Sequence, residues 1–467
     1  MSNMWITAGS VDISPITPVP LAGVSAHIDR LWTARASPLE ANAVAFRSGG
    51  RTVVLVSVDT LFVGPELPEF VQADIRARRQ SDSAAEIILV ATHTHFAPML
   101  DRTKPRLGTV DPAYFDMVRH RISDLVSRVL QSAGQAAGWR RAQARVAGAV
   151  NRRLRIRRPV LQFRQIKFNT IAMAPNPGAP AADMARITLL MPANAKSQDA
   201  PIAILAGWSC HPTSFPGPSI VCAEYIGRIR DALRRRYPAV PVVFLQGFCG
   251  DVRASLQGPR TLAGMLRTVI SGPHFRTPTM PQWEAWAGTL AAQISAVADA
   301  AAATPSQPFA AATLSSRMVG VPLDRIVDQP QPGRTLEARL VDLAGPGQLF
   351  MISAEPSAAL AQYVRAGDTE IWPVGYLADV FGYLATDAQV AEGGYKADRF
   401  RYSCGIDGRM KGTNEAVLRD LMAQITQPGP APAGQGVMPV SESRETGMAG
   451  SANREIQVPV PAVVPTS

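Results

Sequence analysis

Two of the six histidines in this sequence stand only two residues apart, directly after an apolar run. His93 and His95 lie in the string ILVATHTHFAP. If the chain is still extended there, both imidazoles point to the same face, because side chains alternate along a strand. Two such imidazoles can share a metal ion, or one can bind metal while the other transfers protons. Packing remains the alternative, since the HxH pattern by itself is a weak signal.

Two further junctions between an apolar strand and a polar loop carry residues of similar chemistry. His211 follows the strand in AGWSCHPTSF, and Asp251 lies in the glycine-flanked loop of FLQGFCGDV. Strand ends in an α/β layer open into the crevice where ligands usually bind. The three junctions could therefore converge on one site, although Asp251 alone is equally suited to capping a turn.

A catalytic zinc site needs about three protein ligands and a position that stays open to water. Glu355 offers a carboxylate after the apolar strand of LFMISAEPS. It also precedes a predicted helix, where an acidic residue is a common capping choice. Tyr383 and Tyr395 lie in turn-rich loops, and nothing in the residues alone distinguishes them from surface tyrosines.

The elements around these residues alternate between strands and helices. A Gly-Gly turn at 49–50 predicts a hairpin, and a helix beginning with proline leads from it to the strand before His93. Further helices are predicted at 112–137, 224–238, 281–303 and 417–425. An arginine-rich loop is expected after the first of these. The order predicts a mixed α/β fold in which helices cover β-sheets and a metal site lies at the C-terminal ends of strands.

The domain organisation predicted is one catalytic domain over 1–426, followed by a tail over 427–467. The tail is rich in Pro, Ala and Gly, a composition that favours disorder. The four cysteines show no CxxC spacing, which argues against a thiolate zinc site and indicates reduced thiols. No apolar run suits a transmembrane helix, and no secretion signal is visible. We therefore expect a cytoplasmic protein, or a secreted one if the gene start is misplaced.

The net charge of +10 comes largely from two arginine-rich clusters, at 140–158 and 228–236. A nucleic-acid-binding surface would combine such clusters with aromatic residues or a known binding module, and neither is present. We therefore predict no nucleic-acid partner and interpret the second cluster as a solvated helix face. Peripheral contact with an anionic membrane remains an alternative use of this charge.

An ordered series of motifs gives these separate signals a common interpretation. ATHTHFAP, AVNRRLR, GWSCHPTSF, FLQGFCGDV, ISAEPS and FGYLATDAQVAEGGY resemble, in order, segments of the neutral/alkaline ceramidase family. The resemblance covers roughly residues 5–425. It is greatest to bacterial members that keep only the catalytic domain, because the family's C-terminal sandwich-like domain and secretion signal are not seen here.

The resemblance implies a single zinc ion (Zn2+) per chain and a specific set of residues around it. The implied ligands are His93, His211, Glu355 and Tyr383. His95 corresponds to a histidine beside the metal that is not a ligand. Arg152, in AVNRRLR, and Tyr395, twelve residues beyond the zinc tyrosine, correspond to catalytic residues of the family.

The implied reaction is hydrolysis of a linear amide, of ceramide or another N-acyl lipid, by water activated on zinc. Arg152 and the phenol of Tyr395 would stabilise the oxyanion, and His95 would transfer a proton to the leaving amine. The sequence departs from the family where its usual Gly-Asp-Val-Ser-Pro-Asn becomes Gly-Asp-Val-Arg-Ala-Ser. Arg253 therefore replaces a serine, and we hypothesise that it binds an anionic group of the substrate. Phe96 likewise replaces a small residue beside the histidines.

Two other enzyme classes and one non-enzymatic class share part of this pattern. Amidohydrolase barrels begin with HxH but need two more histidines and an aspartate, and the spacing of His27, His120, His211 and His274 fits poorly. Metallophosphatases need early Asp-x-His and Gly-Asn-His segments that are missing. A non-enzymatic alternative is a ceramidase-like scaffold that binds a lipid or peptide ligand without turnover. Metal content and turnover separate these classes, whereas the oligomeric state is not indicated.

Overall fold

The computed structural model describes residues 4–23, 29–78, 85–162, 165–181, 183–196, 199–309, 314–366, 369–394, 397 and 400–427. Two predictions lie outside the described residues: the catalytic role of Tyr395 and the disorder of the C-terminal tail. Within the described ranges, no helix is both long and apolar enough to span a bilayer.

The largest sheet contains nine strands and mixes parallel with antiparallel pairs. Numbered along the chain and given in spatial order, its strands are β14 (Val242–Gln246), β12 (Ala203–Trp208), β11 (Met184–Pro192), β6 (Gln135–Arg145), β1 (Trp5–Asp12), β3 (Glu40–Ser48), β4 (Arg51–Val58) and β5 (Glu86–Ala91), with β16 (Gln307–Pro308) on β6. β4 pairs with β5, and β12 with β14, in parallel. This mixed sheet differs from the all-parallel barrel that an amidohydrolase requires.

Smaller sheets complete the β structure. One has five strands, in the order β17 (Ser315–Pro322), β18 (Thr335–Asp342), β19 (Gln348–Ile352), β22 (Thr369–Val374) and β21 (Arg365–Ala366). Another has three strands, in the order β10 (Thr170–Asn176), β7 (Ala149–Ile156) and β15 (Val252–Ala254). The two-stranded pairs are β2 (Ala34–Arg35) with β13 (Ile220–Val221), β8 (Val160–Gln162) with β9 (Gln165–Lys167), and β20 (Glu355–Pro356) with β23 (Tyr383–Leu384).

Helices cover the faces of these sheets, which confirms the predicted mixed α/β class. The α-helices are α1 (Glu66–Arg78), α2 (Pro112–Gln131), α3 (Glu224–Arg236), α4 (Leu262–Ser271), α5 (Met280–Ala303), α6 (Asp387–Glu392) and α7 (Asn414–Thr426). The 3-10 helices are Leu323–Arg325, Ala358–Tyr363 and Phe400–Cys404. α1 and α2 pack together beside β1, β3 and β5, α5 packs on β6 and β11, and α7 packs on β17 and β18.

The helix predicted at 112–137 ends earlier, and the arginine-rich loop predicted after it is wrong. Asp111 caps α2 by accepting a hydrogen bond from the Tyr114 backbone N–H, and a proline follows at the first helical position. The helix stops at Gln131, and Gly134, with φ +76°, turns the chain into β6. β6 then pairs with β11 along nine residue pairs, which draws the arginines into strands.

The predicted hairpin is confirmed. β3 and β4 pair antiparallel from Ala41–Val58 to Ser48–Arg51, and Gly49 and Gly50 form the two-residue turn. Their φ values, +57° and +76°, are the left-handed pair that a type I′ turn needs.

The second basic cluster, 228–236, is only partly the solvated helix face that was predicted. Arg230 of α3 is 1% exposed and forms ion pairs with Asp59 and Glu40. Arg234 also binds Glu40, with Nη1 2.6 Å from Oε1. Burial of a guanidinium requires charged partners of this kind, because the desolvation cost is otherwise large. The cluster therefore ties α3 to β3 and to the loop after β4.

The carboxyl ends of β5, β14 and β19 meet at the segment that follows β22. The Ala91 N–H donates to the Tyr376 carbonyl at 3.1 Å, and the Gly375 N–H to the Gln246 carbonyl at 2.9 Å. The Tyr376 N–H donates to the Ala354 carbonyl, also at 3.1 Å. These backbone bonds bring strand ends of the nine-stranded and the five-stranded sheet into contact, at the place where the polar residues follow the strands.

Candidate metal centre

Three imidazoles converge at these strand ends. Nε2 of His93 lies 3.1 Å from Nε2 of His211 and 3.4 Å from Nε2 of His95. The three side chains are 1%, 1% and 7% exposed for His93, His211 and His95 respectively. A buried cluster of this kind has the composition and spacing of a metal site.

The other ring nitrogen of each histidine faces a backbone carbonyl. The Nδ1 contacts are His93 with the Leu61 oxygen at 3.0 Å, His95 with the Gly23 oxygen at 2.7 Å and His211 with the Cys249 oxygen at 3.3 Å. A carbonyl only accepts hydrogen bonds, so a neutral imidazole in this position carries its proton on Nδ1 and leaves a lone pair on Nε2. This holds for His93 and His95, whereas Nδ1 of His211 also lies 3.2 Å from the Arg152 guanidinium, which only donates. The Nε2 atoms of all three rings face one another, an arrangement that a bound cation stabilises.

Two of the predicted ligands are cross-strand neighbours. β20 and β23 pair in parallel with Glu355 opposite Tyr383. Oε2 of Glu355 lies 3.3 Å from Nε2 of His93 and 3.7 Å from Nε2 of His211. The phenol oxygen of Tyr383 lies 3.3 Å from the same His211 atom. The structure therefore brings the four predicted ligands together, from loops that lie far apart in sequence.

The spacing of these donor atoms fits zinc. Zn–N and Zn–O bonds of 2.0–2.2 Å in a tetrahedron place neighbouring donors roughly 3.3–3.5 Å apart. The separations of His211 from His93, Glu355 and Tyr383, and of His93 from Glu355, run from 3.1 to 3.7 Å. Imidazole and oxygen donors together suit this metal. The residues present therefore fit a single zinc ion.

Arg152 lies beside this cluster on β7 and is 3% exposed. Its Nη2 donates to the Gly250 carbonyl at 2.6 Å and to the Tyr383 hydroxyl at 3.0 Å, and lies 3.2 Å from Nδ1 of His211. The backbone N–H of Arg152 also donates to the Asp251 carbonyl, and this bond fixes β7 against the loop after β14. The guanidinium thus supplies a positive charge at the edge of the cluster.

Asp251 has a structural role in the loop, as the turn-capping alternative predicts, and does not join the metal cluster. Its Oδ1 accepts from the Ala358 N–H at 2.8 Å, at the start of the 3-10 helix Ala358–Tyr363. Its Oδ2 accepts from the side-chain amides of Asn151 and Gln389, at 3.0 and 2.8 Å. Asp251 therefore connects β7, α6 and the Glu355 loop. For Glu355 the capping alternative does not hold, because its carboxylate faces the histidines.

Arg253, the predicted contact for an anionic substrate group, lies on β15 beside the His211 loop. Its Nη2 donates to the Thr213 carbonyl at 3.1 Å, and its guanidinium covers the Phe275 ring at 4.9 Å from the centroid. The Arg253 guanidinium therefore lies against Thr213, which is two residues beyond His211 in the His211 loop. Its role in substrate binding stays a prediction.

The chain is not extended at His93, so the condition stated for two imidazoles on one strand face is not met, although both imidazoles reach one site. His93 has φ +67°, in the left-handed region that is uncommon for residues with a Cβ. The preceding residue, Thr92, is held by a 3.0 Å hydrogen bond from its hydroxyl to Asp59 Oδ1. A strained backbone held by its surroundings is a feature that often accompanies functional sites.

Two residues of the site have no counterpart in the sequence predictions. The ring of Tyr376 stacks on His93 with centroids 4.1 Å apart, and its hydroxyl lies 3.0 Å from Cys249 Sγ. Tyr376 follows the apolar strand β22, so the same strand-to-loop signal that indicated His93 could have indicated it. Gly23, whose carbonyl holds His95, gives no such signal because its neighbours in sequence are ordinary loop residues.

The fold can now be compared with known proteins. No protein-family model and no curated protein matches the sequence. Among solved structures, the neutral ceramidase from Pseudomonas aeruginosa superposes with a TM-score of 0.66 at 14% identity, over 91% of this chain and 74% of that one. A ceramidase complexed with C2 gives a TM-score of 0.66 at 15% identity, over 91% and 75%. The chain has a ceramidase-like fold. The resemblance seen in the sequence motifs is confirmed at the level of the fold.

Proposed function

We propose that this protein is a zinc-dependent hydrolase that cleaves a linear amide bond, of ceramide or another N-acyl lipid. The observation that carries the proposal is the spacing of the His93, His211, Glu355 and Tyr383 donor atoms, with Arg152 beside them. These four residues would hold one zinc ion per chain. The ceramidase-like fold supports the choice of an amide as the bond that is cleaved.

Arg152 and His95 have roles that their contacts support. Zinc, when bound, supplies a Lewis acid and lowers the pKa of water toward neutrality. Arg152 provides a fixed positive charge for the oxyanion that develops at the amide carbonyl. His95, whose Nδ1–H is held by the Gly23 carbonyl, can accept a proton on Nε2 and pass it to the leaving amine. From the family resemblance alone, we propose Tyr395 as a second donor to the oxyanion.

The first experiment is the metal content of the purified protein, by elemental mass spectrometry, together with hydrolysis of a panel of N-acyl amides. The expected result is about one zinc per chain and turnover that a chelator abolishes and added zinc restores. His93→Ala should lose metal and activity together. His120→Ala is the matched control, because His120 is an exposed residue of α2 and should leave both unchanged.

Each alternative gives a different result in the same experiment. Two metals per chain would contradict the four-ligand site. One zinc without turnover of any amide would favour a scaffold that binds a lipid or peptide ligand. A protein that takes up no zinc, even when it is supplied, would overturn the proposal.

A further inference from the structure

Helix α4 carries its large apolar side chains on the outside of the molecule. The exposed residues are Leu262 (82%), Met265 (48%), Leu266 (61%), Val269 (66%) and Ile270 (44%). Their positions i, i+3, i+4, i+7 and i+8 form one continuous stripe along the helix. In a helix of a globular domain such a stripe normally faces the core. In α4 no residue is buried.

The helix is instead held to the protein by its polar side and its ends. Gly264, Thr268 and Ser271 are its least exposed residues, spaced four and three apart on the opposite face. Thr261 caps the helix by accepting from the Gly264 N–H, and Gly272 ends it with φ +89°. The Arg158 guanidinium donates to the carbonyls of residues 268 and 269, at 2.8 and 2.7 Å. The apolar stripe is therefore not what attaches α4 to the fold.

The strand pair β8–β9, next to α4, also carries exposed apolar side chains. β8 packs against α4, and Leu161, Ile166 and Phe168 are 45%, 68% and 65% exposed. The α4 surface is defined here as these three residues together with the five of the helix stripe. Eight exposed large apolar side chains on one helix and the strand pair next to it are unusual for a globular protein and indicate an interaction site.

The sequence segments that form the α4 surface carry charge of one sign. Residues 152–182 and 252–283, which include both elements and their flanks, contain no Asp or Glu. The same segments contribute basic residues that are exposed or partly exposed: Arg157, Arg158, Lys167, Arg260 and Arg267. An apolar stripe bordered by cations matches the chemistry of an anionic membrane, with acyl chains below and phosphates above. A second copy of the chain is a poorer partner, because two cationic surfaces repel each other.

We propose that the α4 surface docks this protein on membranes that contain anionic lipid. The inference goes beyond the proposed hydrolysis and does not depend on it. It is consistent with a lipid substrate, since only three residues separate β7, which carries Arg152, from β8, and seven separate β15 from α4.

The test is co-sedimentation of the full chain with vesicles of phosphatidylcholine and phosphatidylglycerol in equal parts, and with vesicles of phosphatidylcholine alone. The wild-type protein should partition to the mixed vesicles. The double variant Leu266→Ser, Val269→Ser should lower the partition coefficient roughly tenfold or more, because each side chain otherwise leaves water on binding. Arg260→Gln and Arg267→Gln should each weaken binding about fivefold, on the mixed vesicles only. Ile16→Ser is the matched control, an apolar side chain that is 76% exposed beside Trp32 and Arg121.

Three results would overturn the proposal. The first is no binding to either kind of vesicle. The second is binding that the α4 variants leave unchanged, which would assign the membrane contact to another face. The third is a dimer in sedimentation velocity that the double variant dissociates, which would make a second copy the occupant. Circular dichroism of the variants should match the wild type, because the substituted side chains are exposed.

Discussion

Nη2 of Arg152 lies 3.0 Å from the hydroxyl oxygen of Tyr383, and both side chains are buried. The pair joins the two proposed functions of the site, because Tyr383 is a proposed zinc ligand and Arg152 the proposed oxyanion partner. A ligand phenol carries negative charge, and the adjacent guanidinium offsets it. Arg152 can therefore act in catalysis without contributing a ligand atom.

We expect Arg152→Gln to lower kcat by about 10²–10³-fold, the usual loss when one donor to an oxyanion is removed. Zinc content should stay near that of the wild type, because the proposed ligands remain. The matched control is Arg155→Gln, which removes a guanidinium from the same strand at a site that is half exposed and paired with Glu392. Loss of zinc in Arg152→Gln would instead assign the arginine to positioning Tyr383.

The division of roles between the two histidines of the THTH segment is tested by His95→Ala. This variant should keep zinc and lower kcat by about 10²–10⁴-fold, the range for removal of a general acid or base. Nε2 of His95 is only 3.4 Å from Nε2 of His93, so His95 is also close enough to be a ligand, and the variant distinguishes the two roles. If elemental analysis shows that His95→Ala has lost the metal, His95 is a ligand and the assignment must change.

Gly23→Ala should impair activity through His95. A Cβ on Gly23 would lie 2.6 Å from Nδ1 of His95, and the residue has φ +91°. The imidazole would have to move, so we expect a lower kcat with zinc retained, as well as a loss of about 1 kcal/mol in stability from backbone strain. Gly50→Ala is the control, because Gly50 has φ +76° but open space around the position of its Cβ. Equal kcat losses in the two variants would contradict a collision with His95.

The four cysteines should be unreactive in the folded protein. All are buried, and burial raises the pKa of the Cys249 thiol to about 12 and those of Cys210 and Cys222 well above their usual value. Thiolate is the reactive species, so alkylation near neutral pH should be slow in the native state and fast for all four thiols in guanidinium. Rapid labelling of the native protein would show that at least one of them is accessible.

Sequence reasoning located the strand ends of the site because fully buried strands are recognisable as uninterrupted apolar runs. His93, His211 and Glu355 each follow such a run, and the structure brings them together. Tyr383 could not be found in this way, since a glycine precedes it and the strand that it begins has only two residues. Only the long-range register with Glu355 makes it part of the site, and the family resemblance alone pointed to it.

The errors in the predictions have a common physical origin in long-range pairing. The arginine-rich segment 140–158 was predicted to be a polar loop. Most of its arginines instead lie in β6 and β7, which pair with strands further along the chain. Arg230 was predicted to be solvated, yet it is buried and forms ion pairs with Asp59 and Glu40. The left-handed backbone of His93 likewise depends on its surroundings. Local pattern carries no information about partners more than a few turns away.

Glu40 is the residue for which the structure makes a prediction about stability and pH. Burial by itself raises the pKa of this carboxyl, but the charges of Arg230 and Arg234 and hydrogen bonds from Arg234 and Asn42 outweigh it. The net effect lowers the pKa from 4.5 to about 2. As the pH falls, the unfolded chain therefore takes up the proton before the folded protein does.

The contribution of Glu40 should thus be complete above about pH 5 and disappear as the pH falls toward 2. Its upper limit is about 3 kcal/mol, from 1.36 kcal/mol for each pH unit of pKa difference. Urea unfolding of the wild type and Glu40→Gln at steps from about pH 6 to pH 3 would show a difference in unfolding free energy that narrows with acidity. Glu66→Gln, which breaks an exposed pair with Arg102, is the control and should give a small difference throughout. A Glu40→Gln difference that stays constant with pH would mean that the arginines do not hold this carboxylate ionised in the folded state.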